Sequence, residues 1–216
     1  MDCGNALVVH IYLLYLLFTG TLSISCHYCC YCWNRSHLIL GGHLRKVPTL
    51  LVNFQFPWGV MVLYFEIPPK LAPYLKKTTP LTSNLTNAEK TLAKWFQGDE
   101  DYKNDRLKLI SYVAEGPWVV RNMVTGRPAI IGRKLPVTHR TLPQRGTMAP
   151  LVEVTLDIGS SSATAKRIVS VCRRYMSGLT ADIGFVIQAE TADELPEQMM
   201  GSIRVHGPDP LKSPKI

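Results

Sequence analysis

The stretch that most constrains this fold runs from Leu151 to Met176, LVEVTLDIGSSSATAKRIVSVCRRYM. Its first half alternates, with Val152, Val154 and Leu156 pointing one way and Glu153, Thr155 and Asp157 the other, which is the period-2 signature of a strand with one buried face. Gly159 breaks the strand, and Ser160, Ser161 and Ser162 offer hydroxyls to cap the first free N–H groups of a helix. At about 3.6 residues per turn, Ala165, Ile168, Val169, Cys172, Tyr175 and Met176 share one helix face, and Lys166, Arg167, Arg173 and Arg174 share the opposite one. One side of this helix belongs in a core, and the other presents four positive charges. The rest of the chain reads as the sheet on which the helix packs.

Upstream, Leu50–Phe56 and Val60–Ile67 are β-branched and aromatic runs separated by Pro57-Trp58-Gly59, a hairpin pattern. The second run is apolar on both faces and is expected to be covered on both sides. Residues 68–88 form a Pro- and Thr-rich surface loop, and Asn87 caps a short helix over Ala88–Phe96. The acidic run Gly98–Asp101 reads as a turn. Arg106–Ala114, Trp118–Val124 and Ala129–Leu135 read as strands, with a loop at Pro143–Pro150. After the helix come a strand at Ile183–Ile187, a short helix at Asp193–Met200 and an edge strand at Ser202–Val205. Strands first and helices late predict an α+β fold, an antiparallel β-sheet with one long amphipathic helix and one or two short helices.

Three segments follow from this: residues 1–42, a domain at 43–206, and a disordered tail at 207–216. Ala6–Ile24 is strongly apolar and about long enough to cross a bilayer. It reads as a membrane anchor, as a signal sequence, or as translated non-coding sequence fused to a domain fragment. The nearest basic residues, Arg35, Arg45 and Lys46, follow it, so an inserted helix would leave the domain in the cytosol. Cys26, Cys29, Cys30 and Cys32 cluster beside His27, but no second ligand pair follows to complete a zinc site, so the cluster reads as accidental. The formal net charge is +8, and residues 1–42 contribute only Asp2 and Arg35 to it. The basic domain therefore implies a polyanionic neighbour or ordinary solubility charge.

No catalytic constellation is legible. There is no GxSxG elbow, Cys172 lies on the apolar helix face, and His139 and His206 have no acid nearby in sequence to orient them. Asp157 and Asp182 meeting in space would be a weak coincidence. DYKNDR lacks the glycine and terminal glutamate of an EF-hand, which argues against a metal role. The Gly159–Ser162 junction lacks the spacing of a phosphate loop. The chain is expected not to be an enzyme and to need no cofactor.

Three runs add up to something more specific: FQGDEDYKNDRLKLISYVAEGPWVV, LVEVTLDIGSSSATA and ADIGFVIQAETADELPEQMMGSIRV. Gly98–Ile110, Glu115–Trp118, Leu156–Ser161 and Glu194–Gly201 follow, in order and at similar spacing, a G-D-D-x-Y-x-N-x-R-[FL]-K-L-I run, an E/K-G-x-W turn, a V-D-I-G-S-S strand end and an E-L-P-E-x-x-L-G close. Across residues 48–206 the chain resembles the C-terminal domain of the plant ENHANCED DISEASE RESISTANCE 2 family. The resemblance implies a domain that follows pleckstrin-homology and START lipid-binding domains at membrane surfaces, in proteins implicated in negative regulation of defence and cell death. Neither of those domains is present here, nor is the family domain's opening part, an arginine-glycine strand followed by a Lys-rich, Trp-containing stretch. The resemblance brings no catalytic residues. With it, the basic face of Lys166, Arg167, Arg173 and Arg174 is expected to meet anionic lipid headgroups, such as a phosphoinositide or phosphatidic acid, at about 1 kcal/mol per charge. The alternative is a regulatory domain that binds a protein partner and no lipid. Only charge suggests nucleic acid, and the scarcity of Trp and Phe on the basic segments disfavours it.

Overall fold

Alternation and β-branched content become strands along most of the chain that the computed structural model describes, residues 46–124 and 126–209 and, by backbone alone, residues 9–13. Five residues of the apolar N-terminal stretch, Val9–Leu13, form strand β1. Thr49–Phe56 (β2) and Gly59–Glu66 (β3) make the expected hairpin, with Phe56 opposite Gly59 across a turn of Pro57 and Trp58, and β1 pairs in parallel with β3. The cysteines at 26–32, the remainder of Ala6–Ile24 and the tail beyond Asp209 lie outside the described residues. Among the described residues no helix is long and apolar enough to cross a membrane.

Helix α1 (Asn87–Gln97) starts under a capping box. The Thr86 side chain accepts the Glu89 N–H, and the Glu89 carboxylate accepts the Thr86 N–H, so the cap lies one residue before Asn87. Gly98–Asp101 is no turn. Asp99 caps α2 (Glu100–Arg106) by accepting the Tyr102 N–H, and its acids sit where free N–H groups and the helix dipole favour negative charge. Strand β4 (Leu107–Glu115) follows. The strand expected over Trp118–Val124 is instead helix α3, Trp118–Met123. Its valines read as β-formers, but Pro117 opens a helical turn that drives Val120 into a small core with Val113 and Leu179. The strand expected over Ala129–Leu135 shrinks to β5, Ala129–Ile130. The chain then turns, because Gly132 lies against α2 so closely that a Cβ there would be 2.5 Å from the Asn104 Cα.

An unanticipated strand, β6 (Val137–Leu142), precedes β7 (Leu151–Asp157). It runs along a sheet edge with Thr138, Arg140 and Thr141 exposed, so no hydrophobic alternation announces it. After α4 (Ala163–Tyr175) come β8 (Thr180–Ile187) and β9 (Met199–His206). The helix expected at Asp193–Met200 is a single 3₁₀ turn at Ala192–Glu194, since Met199 already pairs with Val186.

The class is α+β, with the strands in two sheets. One has the order β1-β3-β2-β7-β6, with β2 and β7 parallel; the other, β5-β4-β8-β9, is antiparallel. The main core lies between them. Val152, Val154 and Leu156 point into it as the alternation requires, with Leu50, Phe54, Leu63 and Phe65 facing Phe185, Ile203 and Val205. The Phe65 and Phe185 rings meet edge-on at 5.8 Å, a favoured aromatic geometry. Helix α1 adds Leu92, Trp95 and Phe96. β3 is covered on both faces as expected, its Val62 and Tyr64 joining Leu51 and Leu151 in a second cluster.

This arrangement corrects the role of α4. No side chain of Ala163–Tyr175 is fully buried, although Val169, Val171 and Cys172 are half-buried against the sheets and α3. The sheets bury one another, which leaves the amphipathic helix at the periphery.

Candidate functional site

The strand end that launches α4 is tied down by its own polar groups. The Gln55 carbonyl accepts the Ile158 and Gly159 N–H groups, the Asp157 carboxylate accepts the Ser160 N–H at 2.9 Å, and the buried Ser161 hydroxyl donates to the Ile158 carbonyl. Of the three candidate caps, Ser162 is the one used, accepting the Ala165 N–H at 3.3 Å. The Ser160 hydroxyl, and then its N–H, hold the Asp157 carboxyl below the usual carboxylate range. The N–H groups of Gly159, Ser160 and Ser161 are thus all taken within the junction, which is built as a cap.

Lys166, Arg167, Arg173 and Arg174 are all exposed on α4, and among the described residues none takes part in an ion pair. Three point to solvent with no partner side chain. Arg173 has one: its guanidinium lies 5.3 Å from the Trp58 ring centroid. Trp58 stacks on Phe56 at 4.8 Å, Phe56 stacks on Phe54 at 6.0 Å, and Phe54 reaches Phe185 in the main core. A cation–π contact of this kind is worth about 0.5–1 kcal/mol at an exposed site. The hairpin turn thus holds the arginine side chain against the fold while leaving its charge at the surface.

α3 lies against α4 through the small core of Val113, Val120 and Leu179, with Val119, Val171 and Cys172 around it. Trp118 opens α3 with 70% of its surface exposed, and Tyr175 closes α4 at 40%. Arg121 and Arg127 are exposed nearby in sequence. No Asp or Glu occurs in residues 116–152 or in residues 158–181, the segments that supply both helices. α4 thus presents a basic face, and the α3–α4 pair also exposes two aromatic rings, Trp118 and Tyr175. Sequence reasoning found the cations and missed Trp118, whose signal was a lone aromatic residue after Gly116-Pro117 inside an acid-free run.

The acids of the 190–197 segment are gathered elsewhere and are paired. Arg106 donates to Glu194 at 2.7 Å and to Glu190 at 2.8 Å, and its guanidinium lies 4.3 Å from the Tyr102 ring centroid. Lys108 donates to both oxygens of Glu197 at 2.7 Å, and that carboxylate also accepts the Ala189 N–H. The two longest family-like motifs, Gly98–Ile110 and Glu194–Gly201, therefore meet as a structural clamp. A cleft beside it, lined by Leu92, Ile187, Pro196 and Met200, holds about 20 Å³, room for about one water and none for an acyl chain.

The groups considered for chemistry are engaged singly. Asp182 takes a bidentate pair from Arg204 at 2.6 and 2.7 Å. The Cys172 thiol is pushed up by burial, which disfavours the thiolate. The His139 Nε2 lies 2.9 Å from the Asn104 Oδ1, and the His206 Nδ1 lies 3.2 Å from the Thr180 hydroxyl. Burial, and then the Lys103 ammonium, push His139 down to about 4. Among the described residues no group of three or more His, Cys, Asp or Glu is placed to hold a metal ion.

The profile of the family described as "Protein ENHANCED DISEASE RESISTANCE 2, C-terminal" matches residues 30–209. A protein of Arabidopsis thaliana named "Protein ENHANCED DISEASE RESISTANCE 2-like" is 32% identical over 112 residues, which are 52% of this chain and 15% of that protein. The chain thus spans a small part of the length of that relative. No solved structure matches.

Proposed function

Because the chain belongs to the family of ENHANCED DISEASE RESISTANCE 2 C-terminal domains, we propose that it is a non-catalytic regulatory module that rests on anionic membrane surfaces through its α3–α4 face. The observation that carries this reading is the basic face of α4, where Lys166, Arg167 and Arg174 are unpaired among the described residues and Arg173 is held by Trp58, with Trp118 exposed on the adjoining α3 and Tyr175 at the end of α4. Aromatic rings settle at the level of lipid headgroups, and each cation near an anionic leaflet adds about 1 kcal/mol. On this reading the chain works at the cytosolic side of a membrane. Its role in disease resistance is that of a regulatory module held at that surface.

Flotation of the full chain with vesicles tests the reading. Binding is expected to vesicles containing phosphatidic acid or a phosphoinositide, to weaken with salt, and to be absent with phosphatidylcholine alone. Replacing Lys166, Arg167, Arg173 and Arg174 together with glutamine is expected to remove it. Equal binding to neutral and acidic vesicles sinks the proposal. So does an acid-lipid preference that survives the fourfold change.

The alternative is a protein partner on the same face, because Trp, Tyr and Arg are the residues that most often dominate protein interfaces. It is favoured if a folded chain ignores all vesicles and retains a stable partner in a pull-down that Trp118→Ala disrupts.

A further inference from the structure

Ser170 occupies the middle of the basic helix face. Lys166 and Arg167 lie four and three residues before it, and Arg173 and Arg174 three and four residues after it. On a helix those four offsets are the neighbouring positions, with Cβ atoms about 5–6 Å away. All five side chains are exposed, and among the described residues no hydrogen bond engages the Ser170 hydroxyl. A serine inside a helix is a weaker helix former than alanine, so its place here has no structural explanation.

We infer that Ser170 is a phosphorylation site that switches the α3–α4 face off. An arginine-directed serine kinase reads a cation three residues before its acceptor, and Arg167 stands there with Lys166 beside it. Such kinases take their substrate as an extended segment, and α4 can supply one: with no fully buried side chain over Ala163–Tyr175, local opening breaks few apolar contacts. In the transfer the serine Oγ attacks the γ-phosphorus of ATP. The bond to the bridging oxygen of ADP breaks, and the hydroxyl proton leaves to a base on the kinase. The product carries about −1.5 to −2 charges within reach of four cations, and its oxygens accept from them. The charge offered to an anionic surface falls by about half. At about fivefold in affinity per charge, two lost charges weaken vesicle binding about thirtyfold.

The switch rests on the membrane reading above; the identity of the acceptor does not, so one experiment separates them. The full chain is treated with ATP and an arginine-directed serine kinase, its phosphates are located by mass spectrometry, and phosphatidic acid vesicle binding is measured before and after. Phosphate on Ser170 with about thirtyfold weaker binding is expected. Ser170→Asp should weaken binding in the same direction, and Ser170→Asn, which has the same shape and no charge, should leave it unchanged. Phosphate elsewhere but not on Ser170 overturns the site. Modified Ser170 with unaltered binding, or equal losses for the Asp and Asn variants, overturns the switch. Failure of the unmodified chain to bind acidic vesicles overturns the membrane reading and the switch with it, while the mass spectrum still decides the acceptor.

Discussion

Arg106 and Glu194 stand 88 residues apart in the chain and meet at 2.7 Å, each nearly sealed from water. Arg106 ends α2, just before the strand β4, and Glu194 lies in the turn before β9, so this one pair ties together two segments that flank the antiparallel sheet. The pair lends the Glu194 carboxylate a hydrogen-bonded countercharge, and it gives the guanidinium a second acid in Glu190 and an aromatic face in Tyr102.

Breaking that pair from one side leaves the buried Glu194 carboxylate with only Lys94 at 3.4 Å and the Glu190 N–H. Arg106→Met is expected to cost about 3–5 kcal/mol in urea unfolding, and the double change Arg106→Met/Glu194→Met to recover most of it. A loss below about 1 kcal/mol for the single change would show that the clamp does not hold the sheet.

Acid should find the same place. Burial alone would raise the Glu194 carboxyl, but the Glu190 N–H and Arg106 outweigh it and hold it below its ordinary 4.5. The unfolded chain therefore binds that proton more readily, so this contribution is present above pH 4.5 and is lost as pH falls through the lower folded value. Stability measured against pH should drop on acidification below that point, and less steeply in Glu194→Gln.

His139 predicts a second pH window. Its ring is held neutral, down at about 4 against an ordinary 6.5, by burial first and Lys103 second. The unfolded state again binds the extra proton, so stability should fall as pH goes from 6.5 to 4, by on the order of 3 kcal/mol in all. His139→Gln should flatten the curve in that window. Lys103→Met, which removes a buried ammonium, should move the His139 titration upward in an NMR experiment. An unmoved His139 would mean that Lys103 does not reach it.

Gly201 tests how closely the sheets pack. A Cβ there would stand 2.7 Å from the Phe65 ring, which has no exposed surface, so Gly201→Ala is expected to cost about 1–3 kcal/mol. Phe65→Leu should absorb part of the clash, making the double variant less destabilised than the sum of the two. Strict additivity in denaturant melts would place the strain elsewhere.

Trp118 separates surface function from stability. With 70% of its surface exposed, Trp118→Ala should change stability by no more than about 0.5 kcal/mol and yet weaken binding to acidic vesicles. Trp58→Ala should do the reverse, lowering stability by about 0.5–1 kcal/mol as Arg173 loses its aromatic face. Equal vesicle binding by wild type and Trp118→Ala would remove the aromatic part of the proposed surface.

What the amino-acid order determined by itself was local and periodic. Alternation placed Val152, Val154 and Leu156 inside, a proline-tryptophan turn joined β2 to β3, and the four cations of α4 share a face because the helix repeat puts them there. The identity of the capping residues was legible to within a residue or two, for the same reason: a cap is made by neighbours in sequence. Tertiary structure decided everything that depends on distant partners. It divided the strands into two sheets, so the faces that bury one another are those sheets and α4 stays outside the core. It made α3 a helix despite its valines, because Val120 found Val113 and Leu179. It also set the acids of the 190–197 segment against Arg106 and Lys108 while leaving the α4 cations, among the described residues, without acids. Periodicity reports which side of an element is apolar; only packing decides what that side meets, and which charges are left facing solvent.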